Sequence, residues 1–123
     1  MRLSLALTLP LILWAPSVDG SGKRAQSSRQ KTMMTVSATA YCQAGRTATG
    51  DRTQPGIVAA DPRVLPLGTV MRITGPLKEY RGTYKVADVG SAIKGRIIDI
   101  FMPSCREAKR FGRQRVHLEV LAN

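Results

Sequence analysis

A chain of 123 residues has room for one domain, and a net charge of +11, from 19 Lys and Arg against eight Asp and Glu, favours acidic polymers as partners. A single histidine, His117, and two cysteines in no CxxC pair exclude a structural zinc site and leave a Ser-His-Asp triad only a histidine inside a strand-like run. The cations are scattered except for Lys109 to Arg115 and lack interleaved aromatic rings, which argues against nucleic acid as the partner.

Residues 1–17 read as a signal peptide: Arg2 is a minimal basic region, Leu3 to Ala15 is a largely apolar run interrupted by Pro10, and Ala15-Pro16-Ser17 offers small residues for cleavage. The apolar run, about thirteen residues, is too short to span a bilayer comfortably; an uncleaved anchor is the alternative. The expected product is secreted or periplasmic, with no stable membrane span after cleavage. Residues 18–32, VDGSGKRAQSSRQKT, are basic and polar and read as a flexible linker, leaving 33–123 as the domain. In an oxidising compartment Cys42 and Cys105 can form one bridge, the alternative being two buried thiols.

Six strand signals follow. Met34 to Tyr41 alternates loosely, and Gly56 to Ala60 is a short apolar run before Asp61-Pro62. Thr69 to Thr74, Gly82 to Asp88, Arg96 to Phe101 and Arg115 to Leu121 complete the set, the last alternating most cleanly. Six short strands at this spacing point to a small barrel or sandwich. One helix interrupts them: Ser104 and Glu107 form a capping-box pattern, and Gly112 supplies the stop.

Three aspartates stand out. Asp61 closes an apolar strand, Asp88 ends another and opens the stretch Gly90 to Gly95, and Asp99 sits between isoleucines in Ile97-Ile98-Asp99-Ile100-Phe101. Burial and neighbouring like charges push a carboxyl pKa upward, which a general acid requires. Each also has a plain explanation: Asp61 could start a turn before proline, Asp88 could cap a loop, and Asp99 could face water.

The context of these residues carries a resemblance. Thr39-Ala40-Tyr41, Thr47 to Gly50 (TATG), Gly56 to Pro62 (GIVAADP), Leu65 to Thr69 (LPLGT), Asp88-x-Gly90-x-Ala92-Ile93-Lys94-Gly95 and Ile98-Asp99-Ile100-Phe101 appear in order across residues 36–121. Together they resemble the three-aspartate (3D) domain, shared with the catalytic part of a membrane-bound lytic transglycosylase and with small wall-remodelling proteins. The DxGxAIKG segment with a second aspartate eleven residues after its first carries most of the specificity. The pair Cys42 and Cys105 looks like a feature of a short secreted branch.

The resemblance implies an all-β fold, a six-stranded double-psi β-barrel with one short helix. It implies cleavage of the MurNAc–GlcNAc bond of peptidoglycan to a 1,6-anhydro product, with no cofactor or metal. Asp99 would act first as acid and then as base, while Asp88 and Asp61 tune it and bind sugar hydroxyls. Lys94, Tyr41, Thr49, Gly90 and Gly95 would contact substrate. The partner would be the glycan strands of peptidoglycan, met by a monomer. The aromatic share is 5%, few rings for stacking sugars, and the cleft is expected to be shallow beside the large enzyme's two-domain groove. The rival reading is a non-catalytic, expansin-like module that binds or loosens wall polysaccharide. All of this requires the three carboxyls to share one pocket.

Overall fold

The computed structural model describes residues 10–12 and 31–123. The signal peptide falls almost wholly outside the described residues, as does most of the linker. Strand β1 starts at Thr32, one residue ahead of the expected domain boundary.

Six strands and a helix account for the domain: β1 (Thr32–Tyr41), β2 (Ile57–Ala60), β3 (Val70–Gly75), β4 (Gly82–Asp88), β5 (Ile97–Phe101), α1 (Cys105–Phe111) and β6 (Gln114–Ala122). A 3-10 turn at Lys78–Tyr80, for which the sequence carries no signal, follows β3. The strands close into a barrel in the order β1-β5-β2-β4-β3-β6. Closure leaves no unpaired edge, which is how a domain this small with six short strands avoids aggregation. The pairs β1–β5 and β2–β4 are parallel and the other four antiparallel. Parallel partners need long crossovers, and segments 42–56 and 61–69 are among the stretches that make them. This is the double-psi β-barrel with one short helix.

The alternation read in the sequence decides which side chains point inward. Val36 and Ala38 of β1, Met71 and Ile73 of β3, Ile98 and Ile100 of β5, and Val116 and Leu118 of β6 fill the barrel. Strand β2 is buried along its whole length. Its inward side, Val58 and Ala60, belongs to that core, while Ile57 packs outside the barrel with Ala87, Phe101 and Tyr41. A strand covered on both faces reads as a continuous apolar run rather than an alternating one, as GIVAA does.

At α1 the Ser104 hydroxyl accepts the Glu107 N–H at 3.2 Å, half of the expected capping box. The Glu107 carboxylate does not return the bond; the Tyr80 hydroxyl reaches it at 3.4 Å instead. Gly112 ends the helix with φ 62°, a conformation that glycine adopts without steric cost. A disulfide joins Cys42, just after β1, to Cys105, the first residue of α1. In the chain-entropy picture, a bridge spanning 63 residues stabilises by about 4 kcal/mol, enough to matter for a two-turn helix that cannot stand alone.

Candidate active site

The site is built on four adjacent strands. In the barrel register Thr39 of β1 faces Asp99 of β5, Asp99 faces Ala59 of β2, and Ala59 faces Asp88 of β4. Residues opposite one another in a sheet project to the same side, so these four form one lateral row on the outer surface. A β-bulge makes the row possible. Between Val58 and Ala59 the register with β4 slips, leaving Ala87 as the extra residue. Without it, Asp88 would follow buried Val86 into the barrel; the added residue turns its carboxylate outward. Ala59, too small to fill the gap, separates the two aspartates, whose Cα atoms lie about 10 Å apart at two strand spacings.

A pocket of about 150 Å³ opens here, lined by Tyr41, Ala59, Asp88, Gly90, Ile93 and Asp99 among others. That is smaller than the few hundred Å³ typical of small-molecule sites, so a polymer would lie across it rather than inside it. Gly90 is required: a Cβ there would stand 2.9 Å from Ile93 Cγ1.

Asp99 is half-buried, and burial pushes its carboxyl pKa up. The Thr39 hydroxyl, donating to Asp99 Oδ1 at 2.9 Å, pulls partly the other way. Among the described residues Asp99 forms no ion pair. Asp88 is held differently. Its Oδ1 accepts both the Val89 N–H at 2.9 Å and the Ala48 N–H at 3.0 Å, which leaves Oδ2 without a hydrogen bond among the described residues on a side chain that lines the pocket. The Tyr41 ring meets Phe101 edge-on, with centroids 5.4 Å apart. Burial first, then the charges of Asp88 and Asp99, push the Tyr41 hydroxyl up to about 12. It stays protonated, and its oxygen has no hydrogen-bond partner among the described residues.

Asp61 does not join them, which corrects the expectation of three convergent carboxyls. It is 1% exposed and fully occupied. Oδ1 accepts the Arg63 N–H at 3.0 Å and Arg63 Nε at 3.2 Å; Oδ2 accepts Arg63 Nη2 at 3.0 Å and the Gly95 N–H at 2.8 Å. A carboxylate offers about four lone-pair positions, so none is left for a sugar hydroxyl. The Arg63 side chain, then the Gly95 and Arg63 amides, hold its pKa well below the usual carboxylate range. The plain reading of Asp61, a turn before proline, describes its geometry: its carbonyl accepts the Val64 and Leu65 N–H groups.

The expected substrate contacts divide likewise. Tyr41 and Gly90 line the pocket. Gly95 does not; with φ 74° it turns its N–H to Asp61. Lys94 is exposed, does not line the pocket and pairs with no carboxylate among the described residues. Thr49 is engaged elsewhere, donating its hydroxyl to Asp51 Oδ2 at 3.0 Å and its N–H to Ala87 O of β4 at 3.1 Å. Thr39, the Ala48 N–H, Ala59 and Ile93 also build the site and are not among the residues expected from the sequence. Each lies inside a segment of the resemblance: Thr39 in TAY, Ala48 in TATG, Ala59 in GIVAADP and Ile93 in DxGxAIKG.

A small closed barrel with two outward aspartates on a shallow pocket defines the class: a double-psi barrel with a candidate acid site. Residues 56–122 match the 3D domain, and the chain belongs to that family. Among curated relatives, YabE of Bacillus subtilis (strain 168), named for cell wall shaping, is 38% identical over 117 residues, covering 85% of this chain and 28% of its own length. The cell wall-binding protein YocH of the same strain is 38% identical over 97 residues, covering 72% of this chain and 32% of its own. The chain thus spans about a third or less of these relatives. Among solved structures, the lytic transglycosylase MltA from Escherichia coli superposes with TM-score 0.55 at 23% identity, over 64% of this chain and 28% of MltA. The E. coli MltA complex with bound chitohexaose gives TM-score 0.54 at 22% identity, over 62% and 27%. At these identities the likeness concerns the fold. Among the described residues no helix is long and apolar enough to cross a membrane.

Proposed function

We propose that this domain acts outside the cytoplasm on the glycan strands of peptidoglycan, as a lytic transglycosylase-like enzyme with Asp99 as its single acid and base. The observation that carries the reading is Asp99 itself: half-buried, without an ion pair among the described residues, raised in pKa and open to a pocket. The 3D family membership, the wall-related names of YabE and YocH, the MltA-like barrel and the disulfide support the substrate and the location.

The chemistry needs one group that changes role. Protonated Asp99 gives its proton to the glycosidic oxygen as the bond from that oxygen to MurNAc C1 breaks, and the GlcNAc hydroxyl leaves. The Asp99 carboxylate then takes the proton of the MurNAc 6-hydroxyl while O6 bonds to C1, closing the 1,6-anhydro ring and returning Asp99 to its starting state. No water is activated, so the second catalytic carboxylate that hydrolases use is not required. Asp88, with Oδ2 free, holds a sugar hydroxyl and adds negative potential for the developing cation at C1. Asp61 contributes at a distance, by holding Gly95. The substrate is met by one copy of the chain, without nucleic acid, metal or cofactor.

The second reading, a non-catalytic expansin-like binder, is favoured by the small pocket with one ring, Tyr41, and by the name of YocH. Incubating the purified full chain with peptidoglycan sacculi and analysing the soluble products by mass spectrometry separates the two. Anhydro-muropeptides absent from the Asp99→Asn control support the enzyme. Intact glycan that retains the protein supports the binder and ends the catalytic assignment.

A further inference from the structure

A second concave surface lies away from the aspartates. Between the 3-10 turn Lys78–Tyr80 and α1 runs a groove of about 470 Å³ bounded by Glu79, Tyr80, Arg106, Glu107 and Arg110. It continues into a hollow of about 170 Å³ that shares Glu79, Tyr80 and Glu107 and adds Tyr84, Phe101 and Pro103. The floor is ring-rich and held in place. Tyr80 meets Phe111 edge-on at 4.9 Å, the Tyr84 hydroxyl donates to Tyr80 O at 2.9 Å, and the disulfide anchors the helix wall.

Charge on the rim narrows the ligand. Arg106 and Arg110 are four residues apart on α1, hence on one face. Both are exposed, and neither they nor Glu79 pair with an opposite charge among the described residues. A neutral glycan would leave both guanidiniums without a counter-charge. A uniform polyanion would meet Glu79 and Glu107. A short peptide with free carboxylates and an amine satisfies both signs while its aliphatic parts rest on the rings. Position fits as well: β5 leads from Asp99 in the pocket toward Pro103 in the groove, about 13 Å at the strand rise.

We propose that this groove binds the peptide stem of peptidoglycan, so that the domain selects peptide-bearing over bare glycan. The inference rests on peptidoglycan being the substrate, and it names the part of that polymer read outside the aspartate pocket.

The test reads binding apart from cleavage. The full chain carrying Asp99→Asn is titrated against intact sacculi and against sacculi stripped of stems by an amidase. Tighter binding to the intact form is expected, and Arg106→Gln with Arg110→Gln should reduce that preference by about 2- to 30-fold, the range for two exposed charge contacts. Equal affinity for the two forms, or a preference unchanged in the double variant, overturns the proposal. Should the double variant fold poorly, a free stem tripeptide added to the unsubstituted chain decides: NMR shifts at Glu79, Tyr80 and Arg106 to Arg110 support the groove, and shifts elsewhere or none refute it. Absence of anhydro products with the stem preference intact would remove the catalytic reading alone.

Discussion

Asp61 directly follows β2 and Asp99 lies on the neighbouring strand β5, yet their carboxyls occupy opposite environments. Asp61 is the more buried by accessible surface, but two amides and a guanidinium saturate it and favour its charge. Asp99 is less buried but receives one hydroxyl, so the loss of water is not made good and the neutral form is favoured. What distinguishes the two is the number of donors, not the depth. A motif of three aspartates thus divides into a pair at the pocket and one that holds the architecture: Asp61 ties down Gly95, and Gly95 belongs to the loop that joins Asp88 to Asp99.

The largest effect should come from Asp99→Asn. The amide cannot deliver a proton, so release of anhydro-muropeptides should fall by about 100- to 10,000-fold, the usual worth of general acid–base catalysis. Folding and glycan retention should persist. A variant with full activity would falsify the division of roles.

Asp61→Asn should act by another route. The asparagine can still accept the Gly95 N–H but loses the charge that binds Arg63, so the loop over the pocket loosens. Glycan binding should weaken, the shape of the pH–activity curve should not change, and exchange of the Gly95 amide with solvent should quicken by about fivefold, as for one weakened hydrogen bond. A displaced pH profile would place Asp61 among the groups that act on the reacting atoms.

The two sites also predict opposite responses of stability to pH. The Asp61 pKa is lower folded than unfolded, so its stabilisation is present above the unfolded value of about 3.9 and is lost as pH falls below it. The Asp99 pKa is higher folded, so its favourable contribution is present below about 3.9 and is lost as pH rises through the folded value. Thermal melts across pH 3 to 8 should therefore show Asp61→Asn losing most stability at neutral pH. Asp99→Asn should match or exceed the unsubstituted chain there and gain nothing in acid. Parallel curves for the two variants would refute the contrast.

The strands and the helix were legible because their cause is local, whereas their closure into a barrel rather than a sandwich was implied only by the family resemblance. Alternation in Thr69 to Thr74 and Arg115 to Leu121, and a doubly covered run in GIVAA, are written in consecutive residues, as are the Ser104 cap and the Gly112 stop. Three features were not. The bulge at Ala87 has no signal of its own in VAD, yet it decides that Asp88 faces outward. Asp61 lies two residues from Arg63, but only the fold brings Gly95 within 2.8 Å and so shows that the carboxylate is used up. The Glu107 carboxylate, written as a capping partner, is drawn to Tyr80 by a turn, Lys78–Tyr80, too short to announce itself.

The smallest effect concerns Thr39, which distinguishes the two protonation states of Asp99. Its hydroxyl stands 2.9 Å from Asp99 Oδ1 and 3.4 Å from the Ile98 carbonyl. When Asp99 is ionised the hydroxyl donates to it; when Asp99 is protonated the hydroxyl can turn to Ile98 and accept. Thr39→Val keeps the shape but removes the hydroxyl; both forms lose a partner, but the ionised form loses the stronger, charge-assisted bond, so the Asp99 pKa should rise further. The alkaline limb of activity, set by loss of the Asp99 proton, should then move to higher pH by about one unit or less. Thr39→Ser should restore it. A limb that stays put in Thr39→Val, or moves down, would mean that this hydroxyl does not govern the proton on Asp99, and burial alone would have to explain its retention.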